Sequence, residues 1–119
     1  MAWVLDEGLP IYPQLMNEIR RRIVTEVYKA GDRIPSVREL AAEAEVNANT
    51  MQKALSELER EELLVTMRST GRTVTEDGEK IKSTKKAMAE KEISRCMTYM
   101  KELGYSMEEI QSLIAEYKA

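Results

Sequence analysis

The 119-residue chain contains no histidine and no phenylalanine, and Cys96 is its only cysteine. Without these residues, zinc sites, Ser-His-Asp and Cys-His nucleophile pairs, and imidazole acid–base chemistry lose their commonest ligand or proton carrier. No paired-carboxylate motif takes their place. The sequence therefore predicts a protein that is not an enzyme and that holds no metal or cofactor.

The chain also lacks the features of exported and membrane proteins. One cysteine cannot form an intrachain disulfide, and no apolar run approaches the roughly 18–20 residues of a membrane span. The first nine residues include two acidic side chains and no basic one, unlike a secretory leader. We expect a cytoplasmic protein. Its formal charge of −3 argues against non-specific coating of nucleic acid but leaves room for a local basic face.

Apolar residues near the start of the chain recur at steps of three or four. From Tyr12 to Val27 this spacing predicts an amphipathic helix over Ile11 to Ala30, which Gly31 ends. Three consecutive arginines, residues 20–22, lie within it and span about 300° of its circumference. They cannot form one patch, and we interpret them as a solvated face.

Two short helices with capping signals follow. Ser36 and Glu39 have the spacing of a capping box, and Asn47 offers an N-cap to a second helix over Ala48 to Glu61. Only a tight turn separates them, so they form a helix-turn-helix unit whose second helix can present its first turn to a DNA groove.

The next segment changes from helical to β-prone spacing. Residues 63–67 and 73–75 are rich in valine and threonine and flank a polar tip at Arg68 to Arg72, which predicts a two-stranded wing. Such a hairpin is marginal alone. We therefore expect it to pack on the helices, with a third short strand near Arg33 and Ile34.

The remaining residues read as a separate tail, so the predicted domains are 1–76 and 77–119. A helix over Glu79 to Leu103 ends at Gly104, and a capping box at Ser106 and Glu109 opens the last helix. Two amphipathic helices cannot close a core alone and need either the first domain or a second copy of the chain. The predicted dimerisation residues are Ile93, Met97, Met100, Leu103, Met107, Ile110, Ile114 and Tyr117.

Four segments keep their order and spacing across residues 10–75: Pro10-Ile11-Tyr12 with Gln14-Leu15, Ala30 to Ala41, Val46 to Met51, and Leu58-Glu59. They resemble the GntR family of bacterial transcription regulators, and the two-helix tail resembles its YtrA-type branch. The resemblance implies a mostly α-helical protein with a small β wing. This winged helix-turn-helix would dimerise through its C-terminal helices and bind double-stranded operator DNA.

The resemblance also implies DNA contacts at Ser36, Arg38, Asn47, Asn49, Thr50, Gln52, Lys53, Arg68, Thr70, Gly71 and Arg72. Their chemistry suits the roles, because arginine bonds phosphate or guanine, glutamine pairs with adenine and lysine binds phosphate. Structural alternatives remain open: an ion pair of Arg38 with Glu39 or Glu43, a simple N-cap at Asn47, and a solvated wing.

These observations predict a homodimeric, sequence-specific transcription regulator that represses at a pseudo-palindromic operator with half-sites about one helical turn apart. By resemblance, a transporter operon is a candidate target. The alternative is a winged-helix scaffold that binds protein rather than specific DNA. Net acidity favours it, as does Ser69, where the family often has glycine. No room remains for a sensor domain, so the sequence names no effector.

Overall fold

The computed structural model describes residues 3–119, which form two compact units, one ending at Lys85 and the other running from Lys86 to Ala119. The first two residues of the predicted 1–76 domain lie outside this range. The described elements are α1 (Ile11–Val24), α2 (Val37–Ala44), α3 (Ala48–Arg60), β1 (Leu64–Met67), β2 (Gly71–Val74), α4 (Gly78–Glu102) and α5 (Met107–Glu116). This order confirms the predicted mostly α-helical class with a small β wing.

The core of the first unit lies where α1, α2 and α3 meet. The stripe predicted for the first helix contributes Leu15, Ile19 and Ile23, all of them buried. The other two helices, the wing and the residue just before the wing fill the remaining space with the buried side chains of Leu40, Met51, Leu55, Leu58, Leu63 and Val74. The wing therefore packs on the helices, as its length requires.

The first helix ends at Val24, six residues before the predicted end at Ala30. Thr25 has low helix propensity, and its hydroxyl donates to the Arg21 carbonyl at 2.6 Å. Glu26 then adopts a left-handed backbone with φ of +64°, and the Tyr28 amide donates to the Arg22 carbonyl at 3.0 Å. The prediction was wrong here because this turn brings Tyr28 back onto the helix.

The predicted caps of the helix-turn-helix are confirmed. The Glu39 amide donates to Ser36 Oγ at 3.1 Å, and the Ser36 amide donates back to Glu39 Oε1 at 3.0 Å. Glu45 ends α2 in the left-handed region with φ of +58°, and Asn47 Oδ1 accepts from the Asn49 amide at 2.7 Å. These local bonds fix the turn between the two helices.

The wing pairs from Leu64 opposite Val74 to Met67 opposite Gly71. Gly71 and Arg72 thus belong to β2, and the prediction that they lie in the turn was wrong. Gly71 has a φ of +80°, which a glycine adopts without strain, so pairing resumes directly after residues 68–70. The expected third strand is confirmed as a single bridge between Arg33 and Thr73.

The last two helices follow the predicted boundaries closely. Gly104 is left-handed with φ of +97°, and Ser106 and Glu109 form the predicted capping box of α5. Tyr117 lies just beyond α5 rather than within it. In α4, which the structure describes in full, no side chain is buried. No helix within residues 3–119 is long and apolar enough to cross a membrane.

Candidate nucleic-acid interface

One open cleft of about 320 Å³ lies where the start of α2, the exposed face of α3 and the wing meet. Among the predicted DNA contacts, it brings together Ser36, Gln52, Gly71 and Arg72. Arg33 and Thr66 also line it, although sequence reasoning did not select them. The predicted third strand was the signal that could have placed Arg33 beside the wing.

The first turns of α3 present several of the predicted contacts to solvent. Asn49, Gln52 and Lys53 are exposed, whereas Thr50 is half-buried. Gln52 Nε2 lies 3.4 Å from Ser56 Oγ, and Asn47 is exposed while its Oδ1 caps the helix. The exposed amide side chains suit hydrogen bonding to base edges.

Lys53 does not extend freely from α3. Its Nζ lies 4.1 Å from the centroid of the Tyr12 ring, a cation–π distance, and Tyr12 is half-buried on α1. The ammonium is therefore held at the side of α3 that faces the start of α1. From the sequence, Tyr12 belongs to the apolar stripe of the first helix and to a segment of the family resemblance, and no local pattern links it to Lys53.

Glu59, on α3, joins this helix to both strands of the wing. Its carboxylate accepts from Arg72 Nε at 2.7 Å on β2, and from the Thr66 hydroxyl on β1. Burial acts to raise the pKa of Glu59, but the hydrogen bonds from Thr66 and Arg72 outweigh it and hold the pKa below its usual value. Arg68 and Thr70 are exposed in the turn of the wing.

The arginines fall into two groups. Within residues 3–119, ion pairs to glutamate engage Arg20, Arg21, Arg22, Arg60, Arg72 and Arg95. The same part of the chain offers no ion pair to Arg33, Arg38 or Arg68, all of them exposed. Arg33 lines the cleft, Arg38 follows the lining residue Val37, and Arg68 stands on the turn of the wing.

The alternative interpretation, an ion pair of Arg38 with Glu39 or Glu43, is not present in the structure of residues 3–119. Glu39 is engaged by the Ser36 cap, and Glu43 accepts from Trp3 Nε1 at 2.8 Å and pairs with Arg22. Within residues 3–119, Arg38 therefore forms no ion pair with either glutamate. An exposed guanidinium without an ion-pair partner is well suited to bind a phosphate or the edge of a guanine.

Arg22 contradicts the interpretation of residues 20–22 as a solvated face. Its side chain is 3% exposed, with Nε 2.9 Å from Glu18 and NH1 donating to the Tyr28 hydroxyl at 2.7 Å. NH2 forms an ion pair with Glu43 at 2.8 Å without well-oriented hydrogen-bond geometry. The guanidinium also lies 4.6 Å from the centroid of the Trp3 ring. None of these residues is among those that line the cleft.

Comparisons with known proteins agree with this geometry. Residues 11–74 match the family model described as "Bacterial regulatory proteins, gntR family". The "HTH-type transcriptional repressor YtrA" of Bacillus subtilis (strain 168) is 32% identical over 111 residues, which cover 92% of this chain and 85% of that protein.

Two solved structures are also similar. A "GntR family transcriptional regulator from Listeria monocytogenes" superposes with a TM-score of 0.87 and 38% identity, covering 96% of this chain and 100% of that one. A structure titled "AraR(DBD) in complex with operator ORX1" superposes with a TM-score of 0.54 and 30% identity, covering 60% of this chain and 87% of that one.

Proposed function

The chain belongs to the GntR family of bacterial regulatory proteins, and we propose that it acts as a cytoplasmic, homodimeric repressor at a pseudo-palindromic operator. Family membership makes it a transcription regulator with a winged helix-turn-helix DNA-binding domain, and it confirms the prediction that the chain is not an enzyme. Repression, the homodimer, the pseudo-palindromic operator and the cytoplasmic location are the parts proposed here.

The observation that carries the proposal is a set of three exposed arginines without an ion pair in the described residues. Arg33 lines the cleft beside Gln52 of α3, Arg38 lies in the first turn of α2, and Arg68 lies in the turn of the wing. With α3 in a major groove, Asn49 and Gln52 reach base edges, while the arginines contact the flanking phosphates and the adjacent minor groove. The AraR(DBD) complex with its operator and the repressor YtrA support this assignment.

The tail helices support dimerisation. Apolar side chains stand exposed on α4, on α5 and in the turn between them: Ile93 is 60%, Ile114 55% and Leu103, in the turn, 58% accessible. A second copy would cover them. Ile110 is already buried within the single chain, so the exposed members of the predicted set supply the interface. Two-fold symmetry then sets two half-sites about one helical turn apart.

Selection of bound duplexes from random-sequence DNA, followed by a salt series, tests the proposal. We expect one pseudo-palindromic duplex to be enriched. Replacing Arg38 by alanine should weaken its binding by about 1–3 kcal/mol. Arg60→Ala is the matched control, because Arg60 is exposed at the other end of α3 and paired with Glu57. Failure to enrich any duplex, or an Arg38→Ala variant that binds like Arg60→Ala, would contradict DNA recognition.

Three further measurements test repression, dimerisation and the alternative of a protein-binding scaffold. A promoter reporter that is silenced by the wild-type protein supports repression, whereas activation contradicts it. Sedimentation should give a dimer, and Ile93→Glu should shift it towards monomer because a charge enters the apolar surface. A protein that binds no duplex but co-purifies with a stoichiometric protein partner would instead establish the scaffold alternative.

A further inference from the structure

Glu59 of α3 and Arg72 of β2 form a partly buried ion pair. Arg72 was predicted as a DNA contact, and its side chain is only 17% exposed, against 27% for Glu59. Partly buried pairs are screened by salt less than exposed ones. Glu59 therefore cancels much of the positive charge that Arg72 would otherwise present to DNA.

The pair leaves most of the guanidinium donors unused. Arginine has five N–H donors, and Glu59 takes the one on Nε. Within residues 3–119 the terminal amines of Arg72 donate no hydrogen bond, and Arg72 lines the cleft beside Arg33 and Gln52. The side chain is thus held at its base while its two amines remain available for hydrogen bonding to a ligand.

The backbone around the pair restricts Arg72 further. Ile34 donates its amide to the Arg72 carbonyl at 3.0 Å, and Thr66 stands opposite Arg72 in the hairpin register. Thr66 bonds the same carboxylate as Arg72. Glu59 consequently fixes the orientation of Arg72 from α3, the helix proposed to enter the major groove.

We propose that Glu59 is a specificity-determining residue: it holds the Arg72 side chain and cancels its charge, so that Arg72 gives DNA directed hydrogen bonds without adding to non-specific phosphate attraction. This inference rests on the proposed function. Non-specific affinity depends on the number of phosphate charges neutralised, whereas discrimination depends on directed contacts. A carboxylate beside a DNA-facing arginine therefore lowers non-specific affinity and preserves discrimination between sequences.

Affinities of the 119-residue wild type and its variants are measured between 50 and 200 mM salt on two probes. One is the duplex enriched by the wild type, and the other is a scrambled duplex of equal length and composition. Glu59→Gln should steepen the salt slope on the scrambled duplex by about 0.9. That corresponds to about 3- to 4-fold greater salt sensitivity across this range, and the ratio of specific to scrambled affinity should fall.

Glu57→Gln is the matched control, because it removes the same charge from the same helix and also frees an arginine, Arg60. We expect it to leave the affinity ratio unchanged. Arg72→Lys keeps the charge but loses the planar fork. It should lower affinity for the enriched duplex and leave binding to the scrambled duplex unchanged. In an Arg72→Met background, Glu59→Gln should have no more effect than Glu57→Gln.

Equal effects of Glu59→Gln and Glu57→Gln on the ratio would overturn the inference, since only net charge would then matter. Wild-type affinity of Arg72→Lys for the enriched duplex would overturn the inference as well. This variant decides the question if circular dichroism shows that Glu59→Gln does not fold. If the wild type enriches no duplex, the proposed function fails first. An enriched duplex with an unchanged ratio in Glu59→Gln refutes the role of Glu59 alone.

Discussion

Replacing Arg22 by alanine should destabilise the protein far more than the same change at its neighbour Arg20. Arg22 contacts Glu18, Tyr28 and Glu43 at 2.7–2.9 Å and stacks on the Trp3 ring, with 3% of its side chain exposed. Removing one partner of a fully buried ion pair costs about 3–5 kcal/mol, because the other charge is left without compensation.

The cost at Arg22 should be somewhat smaller, since its partners reach water. Glu18 and Glu43 have side chains 21% and 34% exposed, and Glu18 keeps a second partner in Arg21. The loss of hydrogen bonds to charged groups and of the stacking on Trp3 nevertheless remains. We expect a loss of about 2–3 kcal/mol in the free energy of unfolding, or roughly 10–20 °C in Tm for a domain of this size.

Urea denaturation followed by far-ultraviolet circular dichroism measures this loss. Trp3 is the only tryptophan, so its fluorescence also reports the release of the N-terminal segment from Arg22. All variants are compared at one protein concentration, because self-association makes midpoints concentration-dependent. The control, Arg20→Ala, breaks a pair with Glu61 whose side chains are 23% and 37% exposed, and should cost about 0–1 kcal/mol. The usual spread among surface substitutions is about 0.5 kcal/mol. A difference smaller than this between the losses for Arg22→Ala and Arg20→Ala would refute the reasoning.

Three other changes test the wing, the α1–α3 contact and the acidic groups. Gly71→Ala should cost about 1–2 kcal/mol of stability in thermal unfolding because φ is +80° there, whereas Gly78→Ala, with open space around it, should be neutral. Tyr12→Leu and Lys53→Met should each weaken operator binding measured by fluorescence anisotropy, and less than additively together, while Tyr12→Phe should retain wild-type affinity. Additive losses would show that the ring does not position Lys53. Burial acts to raise the pKa of both Glu43 and Glu59. The ion pair with Arg22 and the hydrogen bond from Trp3 hold the pKa of Glu43 below its usual value, and the hydrogen bonds from Thr66 and Arg72 do the same for Glu59. The folded state then binds fewer protons than the unfolded state, so stability in urea should fall as pH drops below about 4.5, and Glu59→Gln should make that fall shallower.

Features set by neighbouring residues could be predicted from the sequence. Ser36, Asn47 and Ser106 cap helices through bonds to amides two or three residues away, so their spacing alone identifies them. The stripe of α1 and the left-handed Gly104 follow from equally local patterns.

Features that depend on distant elements could not be predicted in this way. The burial of Arg22 requires Trp3 and Glu43, which precede and follow it by about twenty residues. The early end of α1 depends on where Tyr28 packs, and Lys53 is placed by a ring on another helix. The DNA-binding roles came from the family resemblance rather than from periodicity, which explains why Glu59, itself inside a matching segment, was not recognised as a partner of Arg72.

The left-handed turns at the ends of α1, α2 and α3 have a consequence for how this protein tolerates change. Glu26, Glu45 and Glu62 occupy positive φ values, where a glycine would be unstrained and another residue costs about 1 kcal/mol or more. A small domain has only about 5–15 kcal/mol of stability in total. Glycine or asparagine at any of these three positions should therefore add stability that can offset destabilising mutations elsewhere in the chain.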